Sequence, residues 1–222
     1  VAIEAYEWAV VGQYEAELNP LMHLFRIGLT AFTVVLVIFV DIVYKERLYE
    51  EKWQVDFQKL VTDVSKGFIR LAENQIQDGL KYLMEETGRF LECDKYFYAE
   101  LDDTLKIHMR IRRTDTPLNM SEYAMDGRNL KDFSYLYDQL MEQEIMMVYH
   151  LKDIPKNAHY NQERQLLERF SISCMICIPV TNEQGLVGFL GYYRHRGTWK
   201  IQAENRDGIK ILGHIIADAF KK

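Results

Sequence analysis

Residues 172–191 read ISCMICIPVTNEQGLVGFLG. Ser173 to Val180 is a run of β-branched, thiol and thioether side chains. Leu186 to Tyr193 is a second apolar run, and Asn182 to Gly185 between them has the residue types of a tight turn. Two strands joined by so short a connection are antiparallel, because parallel neighbours need a crossover of a dozen or more residues. Ile172–Gly191 therefore decides the class: it is a hairpin of an antiparallel sheet.

Working outward, Lys95–Leu101, Leu105–Arg112 and Met146–Tyr149 have strand composition, and Asp102-Asp103-Thr104 makes a second hairpin turn. Ile76–Leu91, Leu130–Gln143, Asn161–Phe170 and Gln202–Phe220 place apolar residues at helical spacing; in the last of these they are Ile209, Leu212, Ile216 and Phe220. An antiparallel sheet with helices inserted between its strands and closing its end is an α+β fold.

Further upstream, Tyr49, Trp53, Phe57, Leu60, Val64, Phe68 and Leu71 form one stripe of a long helix. Glu50, Glu51, Lys52, Gln54, Asp56, Lys59 and Asp63 lie opposite it as a solvated face. The stripe serves either a core helix or a parallel coiled coil between two copies, and the homodimer is the expectation. Before it comes Ile27–Val40, IGLTAFTVVLVIFV, uncharged between Arg26 and Asp41. A spanning helix needs about 20 apolar residues, so the run falls short of a membrane crossing. Its Val, Ile, Phe and Thr favour two buried strands turning near Ala31 to Thr33. No membrane segment is expected.

The chain has 222 residues, 48% of them apolar and 27% charged, enough for one full domain and part of another. A net charge of −6 gives no basic face for nucleic-acid phosphates or anionic lipid. Three cysteines do not make a disulfide framework and suit a reducing, cytoplasmic compartment. No Gly-rich phosphate loop appears among the twelve glycines.

The stretches Leu130–Phe133, His150–Pro155, Ile172–Val180 and Gly185–Gly191, followed by Trp199, resemble a GAF domain covering about 57–222. Similarly, Glu4–Glu7 through Ile27 and Val37–Ile42 resemble the C-terminal half of a PAS domain over 1–43, with Val43 where the family's junction carries Thr. Residues 44–72 would be a connecting signalling helix whose end is shared with the GAF domain. The resemblance implies a GAF-type sheet flanked by helices, preceded by a long linker helix and a partial PAS sheet. It implies a non-enzymatic sensory module of a bacterial signalling protein, relaying a small-ligand or upstream signal to an output domain beyond Lys222, such as a histidine kinase, diguanylate cyclase or phosphodiesterase.

Family members place ligands under a cover that here corresponds to Thr114–Ala158, rich in Met and Tyr: Met120, Tyr123, Met125, Tyr135, Tyr137, Met141, Met146, Met147 and Tyr149. No Cys-His pair of the bilin-binding types and no Asn-Lys-Phe-Asp-Glu set of the cyclic-nucleotide types is present, so the resemblance identifies no cofactor. The strand Leu105–Arg112 presents Lys106, His108, Arg110 and Arg112 on one face, either a solvated edge or a cationic wall for an anionic ligand. His108, Arg110, Arg112, Tyr123 and Tyr149 are thus the candidate binding residues. Cys174-Met-Ile-Cys177 has redox or zinc spacing, yet residues three apart on a strand project to opposite faces, which excludes a shared metal or a disulfide. Cys93 is expected to be the more accessible thiol. The alternative function is a thiol redox enzyme of the methionine sulfoxide reductase kind using Cys93, Cys174 and Cys177.

Overall fold

A computed structural model of the chain describes residues 2–69, 76–112, 125–156, 158–199, 201 and 203–219. It forms two compact units, Val1–Val55 and Asp56–Lys222.

The second unit holds a five-stranded sheet built from β1 (Lys95–Leu101), β2 (Ile107–Arg112), β3 (Met146–Val148), β4 (Cys174–Asn182) and β5 (Gly185–Arg194). Their order is β2-β1-β5-β4-β3, and every neighbouring pair is antiparallel. The hairpin that began the reading is the sheet's centre: β4 and β5 pair from Cys174 opposite Arg194 to Asn182 opposite Gly185. Gly185 takes φ +118°, a backbone conformation open to glycine, and the Asn182 side chain accepts from the Gln184 amide at 2.8 Å. Strand β2 starts two residues later than expected because Leu105 sits at φ +62° inside the turn.

Cys177, Met175, Tyr193, Phe189, Phe97 and Ala99 share one face of the sheet with Met146 and Val148, in a single apolar cluster. Their neighbours Cys174, Ile176, Ile178, Leu190 and Tyr192 are buried on the other face. On that second face, helix α5 (Ala203–Ala219) lies so close that a Cβ on Gly213 would come within 2.0 Å of the Pro179 carbonyl oxygen. Helix α2 (Ile76–Phe90) adds Leu80, Leu83 and Met84 to the core, and Trp199 donates its indole N–H to the Leu91 carbonyl at 2.7 Å. The first face is covered by α3 (Ser134–Met141), α4 (Asn161–Arg169) and 3₁₀ turns at Leu130–Asp132, Leu151–Asp153 and Ala158–Tyr160.

Helix α1 runs unbroken over Ala2–Ile69. Its last turns belong to the second unit, where Phe57, Val64 and Phe68 of the expected stripe are buried and Phe57 meets Phe90 at 5.6 Å between ring centroids. Leu71 lies outside the described residues.

The partial PAS sheet is overturned. Residues 27–40 are helical throughout, so neither the strand pair nor the turn at Ala31 to Thr33 exists. Strand composition alone could not make a hairpin there, because Ala31-Phe32-Thr33 contains no Gly, Pro, Asn or Asp to reverse the chain. A helix satisfies every backbone group within the segment itself. The apolar residues of this stretch stay exposed on all sides, among them Ile27, Phe32, Val35 and Phe39.

Candidate functional site

Between the first sheet face and its helical cover lies a small apolar cavity of about 20 Å³. Met125, Phe133, Leu136, Met146, Ile154, Leu166, Leu167 and Met175 line it, and Glu163 is the one ionisable residue in its wall. Such a volume holds about one water. Three of the walls are methionines, whose flexible thioether chains re-pack at low cost around a larger guest.

Glu163 is placed by α4 and used by α3. The residue before α3, Phe133, has no side chain able to cap the helix, so the first amides of α3 lack an acceptor of their own. Glu163 supplies it from across the cover: its Oε1 accepts from the Tyr135 amide at 2.6 Å and from the Leu136 amide at 3.4 Å. Its Oε2 is buried with no hydrogen-bond partner. Burial raises the carboxyl above the ordinary glutamate range, and the two amides oppose that shift.

Polar contacts hold the parts of the cover together and fasten the segment before β3 to α5. Asp153 Oδ2 accepts from the His150 and Tyr149 amides at 2.7 and 3.1 Å. Arg164 donates to the Leu151 carbonyl at 3.2 Å, Arg206 to the Ile145 carbonyl at 2.5 Å, and Tyr160 to Asp138 at 3.1 Å.

The residues chosen from sequence do not converge on this cavity. His108 and Arg110 lie on the edge strand β2, where each meets a carboxylate of the same hairpin: His108 Nε2 is 3.0 Å from Asp102 Oδ2, and Arg110 pairs with Glu100. Asp102 also accepts from Thr104 and Lys106, and this set holds its carboxyl well below the usual range. Arg112 ends β2 opposite Phe97. Tyr123 lies outside the described residues. Tyr149 follows the opposite edge strand, four strand spacings or about 19 Å away, and donates to the Ile201 carbonyl at 2.9 Å. Glu163 escaped the sequence reading because a charged residue in a helix as polar as NQERQLLER looks solvated.

None of the three cysteines is in a disulfide, and all are buried. Cys174 and Cys177 occupy opposite sheet faces, as the strand register requires. Burial pushes the Cys174 thiol up to about 11 and raises Cys177 as well. Cys93 is the more accessible of the three, at 7% against 0% for Cys174 and Cys177, yet it too is buried, its sulfur 3.0 Å from where a Cβ on Gly88 would sit. Among the described residues no group of three or more His, Cys, Asp or Glu is placed to hold a metal ion.

No protein-family model matches the chain, and no curated protein does. Solved structures do. The chromophore-binding domain of a Stigmatella aurantiaca bacteriophytochrome is 12% identical with a TM-score of 0.57, covering 74% of this chain and 60% of its own. The GAF domain region of a candidate membrane protein from Geobacter sulfurreducens PCA is 14% identical with a TM-score of 0.54, covering 66% and 93%. GAF3 from Slr1393 of Synechocystis sp. PCC6803, in its photoproduct state, is 15% identical with a TM-score of 0.52, covering 65% and 92%. The chain thus spans 60% of the bacteriophytochrome fragment. At these identities the likeness establishes the fold, and the fold is that of GAF domains.

Proposed function

We propose that the chain is a sensory and regulatory GAF module of a bacterial signal-transduction protein and acts without chemistry of its own. The observation that carries this reading is the methionine-walled cavity under the cover, closed by a helix whose N-terminus is held by the buried Glu163 carboxylate. A small molecule entering there must displace α3, α4 or both, and it shifts the module's balance by its differential affinity for the two arrangements. The structural neighbours support the reading, since they include the chromophore-binding domain of a bacteriophytochrome and a GAF domain in its photoproduct state. The module lies on the cytoplasmic side. A dimer through α1 and an output domain following Lys222 complete the proposal, with α1 carrying the change between protomers.

The thiol-enzyme alternative loses its support from burial. A nucleophilic thiol needs access and a lowered pKa, whereas Cys174 and Cys177 are buried and shifted upward. The test is a full-length gene product in which Cys93, Cys174 and Cys177 are all replaced by alanine, which keeps the core apolar. Retention of the signal-dependent output is expected. Loss of that output together with a thiol-dependent reductase activity in a folded variant would overturn the proposal.

A further inference from the structure

We infer that Leu24–Tyr44 is a membrane-spanning helix and that the chain following it lies on the cytoplasmic side. The inference stands on the first unit alone.

Residues 24–44 are 21 in number, about 31 Å of helix at 1.5 Å per residue, against a hydrocarbon core of about 30 Å. Described helix within Leu24–Phe68 reaches a mean hydropathy of 2.4 and has none of that window buried. A soluble helix shows one apolar stripe and one polar face; this segment is apolar all round, with Phe25, Leu29, Val35, Val37 and Phe39 all at least 57% exposed.

Its few polar groups are arranged for a medium without water. Between Ile27 and Val40 the only polar side chains are Thr30 and Thr33. Each donates its hydroxyl to a backbone carbonyl one turn earlier, Thr30 to Arg26 at 2.9 Å and Thr33 to Leu29 at 2.8 Å.

Arg26 and Asp41 made the uncharged run look too short. They stand fifteen residues apart, about 22 Å, so each lies only about 4 Å inside a centred core. An arginine so placed extends its guanidinium to the interface. Asp41 Oδ2 is 2.7 Å from Lys45 Nζ, and that lysine sits one turn farther toward water. Tyr44 and Tyr49 flank the same end, where amphipathic rings favour the headgroup level.

The flanking charge fixes the direction. Residues 1–23 contain four glutamates and no Lys or Arg, whereas 45–55 contain Lys45, Arg47 and Lys52. Lys and Arg are retained on the cytoplasmic side of a span.

The experiment uses the whole chain expressed in bacterial cells. After a sodium carbonate wash the protein is expected in the membrane pellet at its full mass. With Val34→Asp and Val37→Asp together, most of it should move to the supernatant. Because the native cysteines are buried, Gln13→Cys and Gln54→Cys serve as reporters. An impermeant maleimide should label position 13 in intact spheroplasts and position 54 only after lysis. Recovery of the unaltered protein in the supernatant as a dimer, burying the run between copies, would overturn the inference. So would loss of the N-terminal mass by cleavage after the run, or labelling of both positions from one side.

Discussion

Two stretches of this chain have nearly the same chemistry and opposite fates. Ile27–Val40 and Cys174–Val180 are both uncharged and rich in Val and Ile, and composition assigned strands to both. Cys174–Val180 is buried at every position between β3 and β5, whereas Ile27–Val40 is exposed at every position on a helix. The difference is where the backbone hydrogen bonds go. β4 has partners on both sides and a turn with Asn182 and Gly185 to bring one of them back. Ile27–Val40 has no turn residue at its middle, where Ala31-Phe32-Thr33 would have to reverse the chain, and closes its hydrogen bonds on itself. Apolar composition sets how much a segment gains from leaving water; it does not say whether protein or lipid receives it.

The comparison breaks most sharply under a charge. Ile176→Asp places a carboxylate on a fully buried strand with no partner, which costs several kcal/mol and should leave no folded sensor unit. Val35→Asp should leave the near-ultraviolet circular dichroism and the urea midpoint of that unit unchanged in detergent micelles. If Val35→Asp unfolds the unit as Ile176→Asp does, the two runs share one core and the distinction is wrong.

Glycines give a milder contrast. Gly213→Ala drives a methyl into the Pro179 carbonyl and should cost about 1–3 kcal/mol in urea unfolding. Gly28 has nothing within 4 Å of a built Cβ, so Gly28→Ala should favour its helix by up to about 1 kcal/mol, read as higher helicity. A Gly213→Ala variant as stable as the parent would mean that α5 slides freely over β4.

What was legible follows from the same logic. β1 was read to the residue, because Lys95–Leu101 is bounded by polar turns and paired within a sheet whose composition and punctuation agree. The opposite-face placement of Cys174 and Cys177 followed from strand periodicity. The N-terminal helix was misread because Val and Ile propensity was weighed without asking what would reverse the chain. The site was hardest. Glu163 acts through two amides 27 and 28 residues earlier, and a one-dimensional pattern does not carry that distance. The depth of Cys93 was hidden for the same reason, since it takes Trp199, brought to the carbonyl of Leu91, to close that end of α2.

Glu163 distinguishes the buried region from the exposed one by pH. Its folded pKa is raised by burial, so the folded state binds its proton more tightly than the unfolded chain. Stability from this group is therefore fully present below the unfolded carboxyl's ordinary value near 4.5 and falls as pH rises through the folded value. In Glu163→Gln the side-chain oxygen still accepts from the α3 amides and no charge is buried. Urea midpoints measured from pH 4 upward should lose that decline. A Gln variant with the parent's full pH dependence would assign the decline to other carboxylates.

The smallest effect belongs to Asp102, whose carboxyl is held low by Thr104, His108 and Lys106. The sign is opposite to that of Glu163: the contribution is present above the unfolded carboxyl value and is lost as pH falls through the depressed one. The group is exposed and solvent screens it, so Asp102→Ala should barely move the global midpoint. The change should instead appear as faster amide exchange at Thr104 and Lys106, the two backbone donors that the carboxylate receives at 2.9 and 3.0 Å. Unchanged exchange at both amides would mean that the turn is held by the Leu105 backbone conformation and the β1–β2 ladder alone, leaving the His108 edge without any role in closing the hairpin.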